Sequence, residues 1–164
     1  MPQQKTPLAL GLIGTGRMGT FHATALAQHL YGARLAALAD PAPGAAARLG
    51  ETLDVAHIHT DPQALIENPA VEAVVIVAPA RSHAELVIAA ARAGKPVFCE
   101  KPMAVTLEEA DRAIAACATA GVALQVGFNR RFATSFQTAR ELITQGHIGT
   151  PPAAALAHPR SGAP

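Results

Sequence analysis

The sequence is poor in aromatic side chains and in cysteine. Its 164 residues include no tryptophan, one tyrosine and five phenylalanines. Alanine is abundant instead, which favours close packing of small side chains between helices and a sheet. Cys99 and Cys117 are too few for a disulfide framework and lack the spacing of metal ligands. We therefore expect both thiols to be reduced and packed.

The chain also lacks an excess of charge of one sign and any long apolar run. Lysine and arginine total 13 against 12 acidic residues, for a net charge of +1. Without a basic stripe, we expect neither nucleic acid nor a membrane surface as a partner. The longest apolar stretch, Ala73–Ala80, is too short to cross a bilayer, and no secretory segment is evident. These features predict a cytoplasmic protein.

The most informative motif present is a glycine-rich segment. Gly14, Gly16 and Gly19 follow the apolar run Leu8–Ile13, and Asp40 follows a second apolar run. The order predicts a strand, a tight turn at Gly14, backbone access to a pyrophosphate at Gly16, and a helix packed on the sheet at Gly19. A purely structural glycine turn is the alternative. The motif therefore predicts a binding site for NAD.

Two further features refine that prediction. A helix that begins near Arg17 and Met18 directs unpaired N–H groups and its positive dipole end at phosphates. Asp40 can accept hydrogen bonds from ribose hydroxyls, and its charge repels a 2′-phosphate, so we expect NAD rather than NADP. The alternative is that Asp40-Pro41 is a simple turn.

Strand and helix patterns alternate along the chain, which predicts an α/β fold with a doubly wound parallel sheet. We expect six strands with five crossovers, completed within a dinucleotide-binding domain over residues 1–127. Capping boxes are predicted at Ser82–Glu85 and at Thr106–Glu109. After the first strand and helix, the remaining predicted strands are 34–39, 56–59, 74–77, 96–99 and 122–126, and the helices are 43–49, 62–67, 82–93 and 106–120.

We expect residues 128–164 to form only the beginning of a second domain. A helix is predicted over Phe132–Gln145 and a strand over Pro151–Ala157. A lone strand has no partner and little stability. We interpret 128–164 as the helix and first strand of a second, α+β domain whose remainder is missing.

Polar side chains follow three neighbouring strands, where ligands bind in such sheets. For His83 we hold two alternatives, contact with the nicotinamide or packing in the first turn of a helix. His22 and His29 are interpreted as helix surface or packing residues. His57 and His59 share a strand face but have no third ligand, so we expect no metal. The candidate residues are Pro79, Ser82 and His83; Glu100, Lys101 and Pro102; and Asn129, Arg130 and Arg131.

Three segments carry a family resemblance. The Gly14-x-Gly16-x-x-Gly19 turn, the segment Ala91–Pro102 and the segment Gly127–Phe132 resemble the Gfo/Idh/MocA family, named for glucose–fructose oxidoreductase, inositol dehydrogenase and a rhizopine-catabolism protein. The resemblance runs from about Leu8 to Gly149. It implies a Rossmann domain and NAD(P)-dependent oxidation or reduction of sugars or polyols such as inositols.

The resemblance also implies residue roles. It places Lys101 beside the nicotinamide and the reacting oxygen, and Glu100 near the nicotinamide ribose. It places Asn129 and Arg130 near the cofactor and substrate cleft. On physical grounds, a charged Lys101 that stabilises a developing alkoxide costs less free energy than a neutral lysine that acts as the sole base. The alternative is a surface pair of Lys101 and Glu100. Pro102 is a candidate for a cis bond that aims Lys101.

The sequence departs from the family where the substrate pocket is expected. Enzymes of the family carry a second domain, and here Ala133 and Ser161 stand where acids are common. We therefore expect NAD binding with little or no turnover by this chain alone, because missing substrate walls can forfeit roughly 7–11 kcal/mol. The alternatives are a non-catalytic NAD-binding remnant or regulatory module, and a hydrolase that uses bound NAD. Expected partners are a sugar or polyol, with a homo-oligomer or a complementing C-terminal polypeptide as further possibilities.

Overall fold

The computed structural model describes residues 6–151 and shows two compact units that divide after Gly127. Six parallel strands form one sheet in the first unit, in the order β3-β2-β1-β4-β5-β6. The predicted doubly wound parallel sheet is confirmed. The strands are β1 Leu8–Ile13, β2 Ala33–Ala39, β3 His57–His59, β4 Ala73–Ile76, β5 Val97–Cys99 and β6 Leu124–Val126.

Helices connect the strands on both faces of the sheet. Asp61 begins the third helix as predicted, since its carboxylate accepts a hydrogen bond from the Gln63 amide at 3.0 Å. The second helix begins at Ala45 and not at Pro43, because the backbone of Gly44 has a left-handed conformation, with φ of 70°. The helices of the first unit are α1 Arg17–Gln28, α2 Ala45–Leu53, α3 Pro62–Glu67, α4 His83–Arg92 and α5 Leu107–Ala120.

One of the two predicted capping boxes forms. The Thr106 side chain accepts from the Glu109 amide, and the Glu109 carboxylate accepts from the Thr106 amide. The box predicted at Ser82–Glu85 is wrong. A 3₁₀ turn over Ala80–Ser82 precedes α4 and gives Ser82 a helical backbone, whereas a capping side chain needs an extended one.

The core lies on both faces of the sheet. Along β1, Leu12 packs on the face covered by α1 and α2, and Ile13 packs on the face covered by α3, α4 and α5. Strand β4 is buried on both faces, as its continuous β-branched run predicted. Cys99 and Cys117 are both free and buried. Burial, with a smaller contribution from Glu100, raises the pKa of the Cys99 thiol to about 12, which disfavours the nucleophilic thiolate form.

The second unit is described from Phe128 to Pro151. A 3₁₀ turn spans Asn129–Phe132, and helix α6 covers Thr134–Thr144. The helix therefore starts two residues after Phe132, the predicted first residue. No residue of α6 is buried. Pro151 is not in a strand, and the rest of the predicted strand 151–157 lies outside the described residues, as does Ser161. Between residues 6 and 151, no helix is both long and apolar enough to span a membrane.

Candidate dinucleotide site

A cleft opens at the carboxyl ends of β1 and β4, where the strand order reverses direction. Chains that leave two neighbouring parallel strands in opposite directions create a crevice there, and ligands of such sheets bind in it. The cavity measures about 480 Å³. It brings together eight of the predicted cofactor residues: Gly14, Gly16, Arg17, Met18, Gly19, Asp40, Pro79 and Ser82.

The first and third glycines of the turn are required by the fold. Gly14 has φ of 95°, and an added Cβ would lie 2.7 Å from the Val77 carbonyl oxygen. An added Cβ at Gly19 would overlap the Gly14 carbonyl oxygen. Gly16 differs, because a Cβ there would meet nothing within 4 Å. The backbone at Gly16 therefore has open space beside it, as an approaching ligand needs.

Helix α1 begins at this open position. Gly16 is its N-cap, no side chain caps the helix, and its first turn carries no acidic residue. The first N–H groups of an uncapped helix have no helical partner, and the helix dipole adds partial positive charge. This end of α1 is thus free to bind an anion such as a pyrophosphate.

Asp40 is fixed in place by the glycine turn. Its Oδ2 accepts hydrogen bonds from the Thr15 amide at 2.7 Å and from the Thr15 hydroxyl at 2.9 Å. Its Oδ1 accepts from the Ala42 amide at 2.9 Å. Burial pushes the pKa of Asp40 upward, but these hydrogen bonds outweigh it and hold the pKa below its usual value. The cleft thus contains an ionised carboxylate with a fixed orientation. Thr15 was missed by the sequence analysis, although it lies within the motif.

A second cluster forms at the end of β5. The Glu100 Oε2 accepts from the Lys101 amide at 2.9 Å, and His22 Nε2 donates to Glu100 Oε1 at 2.9 Å. The Lys101–Pro102 peptide is cis, and Lys101 is exposed. The Glu100 contact of His22 was not predicted. A signal existed, because His22 lies one helical turn after Gly19, which faces the sheet.

His83 lies between the cleft and the Lys101 turn. Its ring is 2% exposed. The Nδ1 atom is 2.6 Å from the Pro102 carbonyl oxygen, and the Nε2 atom is 2.6 Å from the Ala78 carbonyl oxygen. Both nitrogens are thus occupied by the protein itself. This geometry favours the packing alternative for His83 over direct contact with a nicotinamide.

The remaining predicted residues belong to the second unit. There the Arg130 guanidinium lies over the Phe136 ring at 5.5 Å, and the Arg131 guanidinium lies over the Phe128 ring at 5.2 Å. The roles of Asn129 and Arg130 at a cofactor site stay predictions. Over residues 6–151, no group of three or more histidine, cysteine or acidic residues is arranged to hold a metal ion.

The fold and the cleft together define a dinucleotide-binding α/β domain. The model of the Gfo/Idh/MocA oxidoreductase family, described by its NAD-binding Rossmann fold, matches residues 8–128. The chain therefore belongs to this oxidoreductase family, as the resemblance of its three motifs implied.

Its relatives include several inositol dehydrogenases. A myo-inositol 2-dehydrogenase of Thermotoga maritima is 42% identical over 88% of this chain and 43% of its own length. A scyllo-inositol 2-dehydrogenase (NAD(+)) of Bacillus subtilis is 38% identical over 85% of this chain and 41% of its own length. The crystal structure of scyllo-inositol dehydrogenase from Lactobacillus casei with NAD(H) and scyllo-inositol matches at a TM-score of 0.83 and 32% identity, covering 88% of this chain and 43% of that one. The chain thus spans less than half the length of these relatives.

Proposed function

We propose that this chain binds NAD(H) and forms the coenzyme-binding part of a polyol dehydrogenase that acts on a secondary alcohol of an inositol-like substrate. The observation that carries the proposal is the cleft itself. It combines an uncapped helix start, an open backbone at Gly16 and a fixed carboxylate at Asp40. The relatives named above support the polyol as the substrate class.

The residues of the cleft fit the parts of NAD. The amides at the start of α1 would bind the pyrophosphate, and Asp40 would accept from the adenosine ribose hydroxyls. When bound, NAD supplies the acceptor for a hydride from the carbinol carbon. The ionised Asp40 would repel a 2′-phosphate, so we propose NAD rather than NADP as the coenzyme.

Lys101 is the proposed catalytic residue. As hydride leaves the carbinol carbon, negative charge develops on the attached oxygen, and a nearby cation stabilises it. The Lys101 side chain is exposed at the carboxyl end of β5, next to the strand that borders the cleft. We propose that it orients and stabilises the reacting oxygen, while the Glu100 carboxylate accepts from its backbone amide.

We further propose that this chain alone turns over little or no substrate. Because Lys101 is exposed, nothing within residues 6–127 encloses a polyol against it. The walls that orient a substrate would have to come from outside residues 6–127. The same exposure favours the second candidate function, a module that binds NAD without catalysing a reaction.

A titration and an assay test these proposals together. Adding NADH to the purified 164-residue chain should give saturable binding, followed by nicotinamide fluorescence. With NAD and myo- or scyllo-inositol, NADH production should not exceed that of a Lys101→Met variant. Absence of NADH binding would contradict the proposed function. Turnover that depends on Lys101 would contradict the proposed inactivity of the isolated chain and the non-catalytic candidate.

A further inference from the structure

His83 is the only buried polar residue in the part of the chain that the structure describes. It occupies the first position of α4, between the turns that follow β4 and β5. The Nε2 atom faces the Ala78 carbonyl oxygen, and the Nδ1 atom faces the Pro102 carbonyl oxygen, each at 2.6 Å. A buried ring with two short contacts to backbone oxygens needs a chemical explanation.

The two contacts determine how many protons the ring carries. A carbonyl oxygen only accepts hydrogen bonds, and a neutral imidazole has a single N–H to donate. In a neutral His83, one nitrogen lone pair would face an oxygen lone pair at 2.6 Å with no hydrogen between them. In the imidazolium form, both nitrogens donate, and hydrogen bonds from a charged donor are the short ones.

The Ala78 and Pro102 carbonyl oxygens are the hydrogen-bond partners that the structure gives the His83 ring. Glu85, two residues along α4, lies on a different side of the helix, and its carboxylate is paired with the Arg112 guanidinium at 3.0 Å. The positive end of the α4 dipole disfavours a cation at its first position. Hydrogen bonds to the Ala78 and Pro102 carbonyl oxygens would offset the loss of hydration of the buried, charged ring.

We infer that His83 carries a hydrogen on both ring nitrogens and thereby holds the Lys101–Pro102 turn at a fixed distance from the coenzyme cleft. Ala78 lines the cleft, and Pro102 directly follows Lys101. His83 is thus a positioning residue that acts on Lys101 through the backbone. The positioning role rests on the proposed function of Lys101, whereas the proton count does not.

Nitrogen-15 NMR of the histidine rings tests the proton count in the unaltered chain at pH 7, without coenzyme. We expect both nitrogens of His83 to show a bonded hydrogen, and a His83→Phe variant assigns the signal. A His83 ring with one bare nitrogen would overturn the inference. This result is independent of NADH binding, so failure of the coenzyme titration would count against the proposed function alone.

Amide hydrogen exchange tests the positioning role. In His83→Phe, the turn loses the hydrogen bond between the charged ring and the Pro102 carbonyl, so it should open more often. The Lys101 amide should then exchange about tenfold faster or more, the factor expected for the loss of one such hydrogen bond. The Thr15 amide, which donates to Asp40 on the other side of the cleft, should keep its rate. The exposed His29→Gln is the matched control and should change neither. Equal acceleration at Thr15 and Lys101 would show general unfolding and would overturn the positioning role.

Discussion

The two turns of the candidate site are built in different ways. The glycine turn after β1 is dictated by the backbone, since Gly14 and Gly19 have no room for a side chain. The turn at Lys101 is held by side chains from distant helices, His22 of α1 through Glu100 and His83 of α4 through Pro102. The shape of the proposed coenzyme site is therefore a property of the fold, whereas the proposed catalytic turn at Lys101 depends on a few individual contacts.

The largest effect is expected where the backbone has no freedom. Gly19→Ala places a methyl group on the Gly14 carbonyl oxygen, so α1 must move away from the turn. We expect a loss of about 3 kcal/mol in the free energy of unfolding, at the upper end for overpacking, together with loss of NADH binding. Urea unfolding and a fluorescence titration measure the two effects. A variant with unchanged stability would show that the turn is looser than the structure indicates.

The next effect concerns coenzyme choice at Asp40. The unaltered chain should bind NADH more tightly than NADPH, because the ionised carboxylate repels a 2′-phosphate. Asp40→Ala should reduce that preference by about tenfold, or about 1.4 kcal/mol. Calorimetry with both coenzymes measures the ratio of the two affinities. Asp40→Asn is the matched control, because it keeps the shape of the side chain and removes its charge. Equal affinities of the unaltered chain for the two coenzymes would refute the role of Asp40.

A smaller effect is expected at the Lys101 turn, where a substitution should change stability and leave the coenzyme preference unchanged. His22→Phe keeps a ring against Phe98 but removes the donor to Glu100. We expect a loss of about 1 kcal/mol in the free energy of unfolding, typical of a partly exposed pair, with no change in the NADH to NADPH ratio. A fall in that ratio as large as the one expected for Asp40→Ala would show that the two turns are not independent.

The smallest effect is a dependence of stability on pH. The pKa of Asp40 is lower in the folded chain than in the unfolded one, so its ionised form stabilises the fold. This contribution is complete above the unfolded pKa of about 3.9 and is lost as pH falls through the folded pKa. Urea unfolding of the unaltered chain and Asp40→Asn between pH 6 and pH 2 should therefore converge at the acid end. Parallel profiles would contradict the assignment.

The sequence predicted the features that depend on local spacing. The glycine turn, the Asp61 cap and the Thr106 capping box each involve residues within a few positions of one another. The pair of His22 with Glu100 joins residues 78 positions apart, and it depends on how α1 lies on β5. Helical spacing could place His22 toward the sheet, but it could not identify the partner.

The environment of His83 also could not be predicted from the sequence. The sequence left contact with the nicotinamide and packing open, because both are compatible with the first turn of a helix. The position of the Pro102 carbonyl, which decides between them, depends on the path of the chain after β5. Ser82 was misassigned as a cap for a related reason, since the preceding 3₁₀ turn is a property of the packed chain.

The most direct test of the proposed coenzyme site is the NADH affinity of Gly16→Ala. Apart from its chain neighbours, the added methyl group meets no protein atom within 4 Å, so the free energy of unfolding should stay within about 0.5 kcal/mol of the unaltered chain. If a pyrophosphate lies against this backbone, the methyl group occupies its space, and NADH binding should weaken by at least about tenfold. Unchanged NADH affinity in a normally folded Gly16→Ala chain would contradict the proposed site.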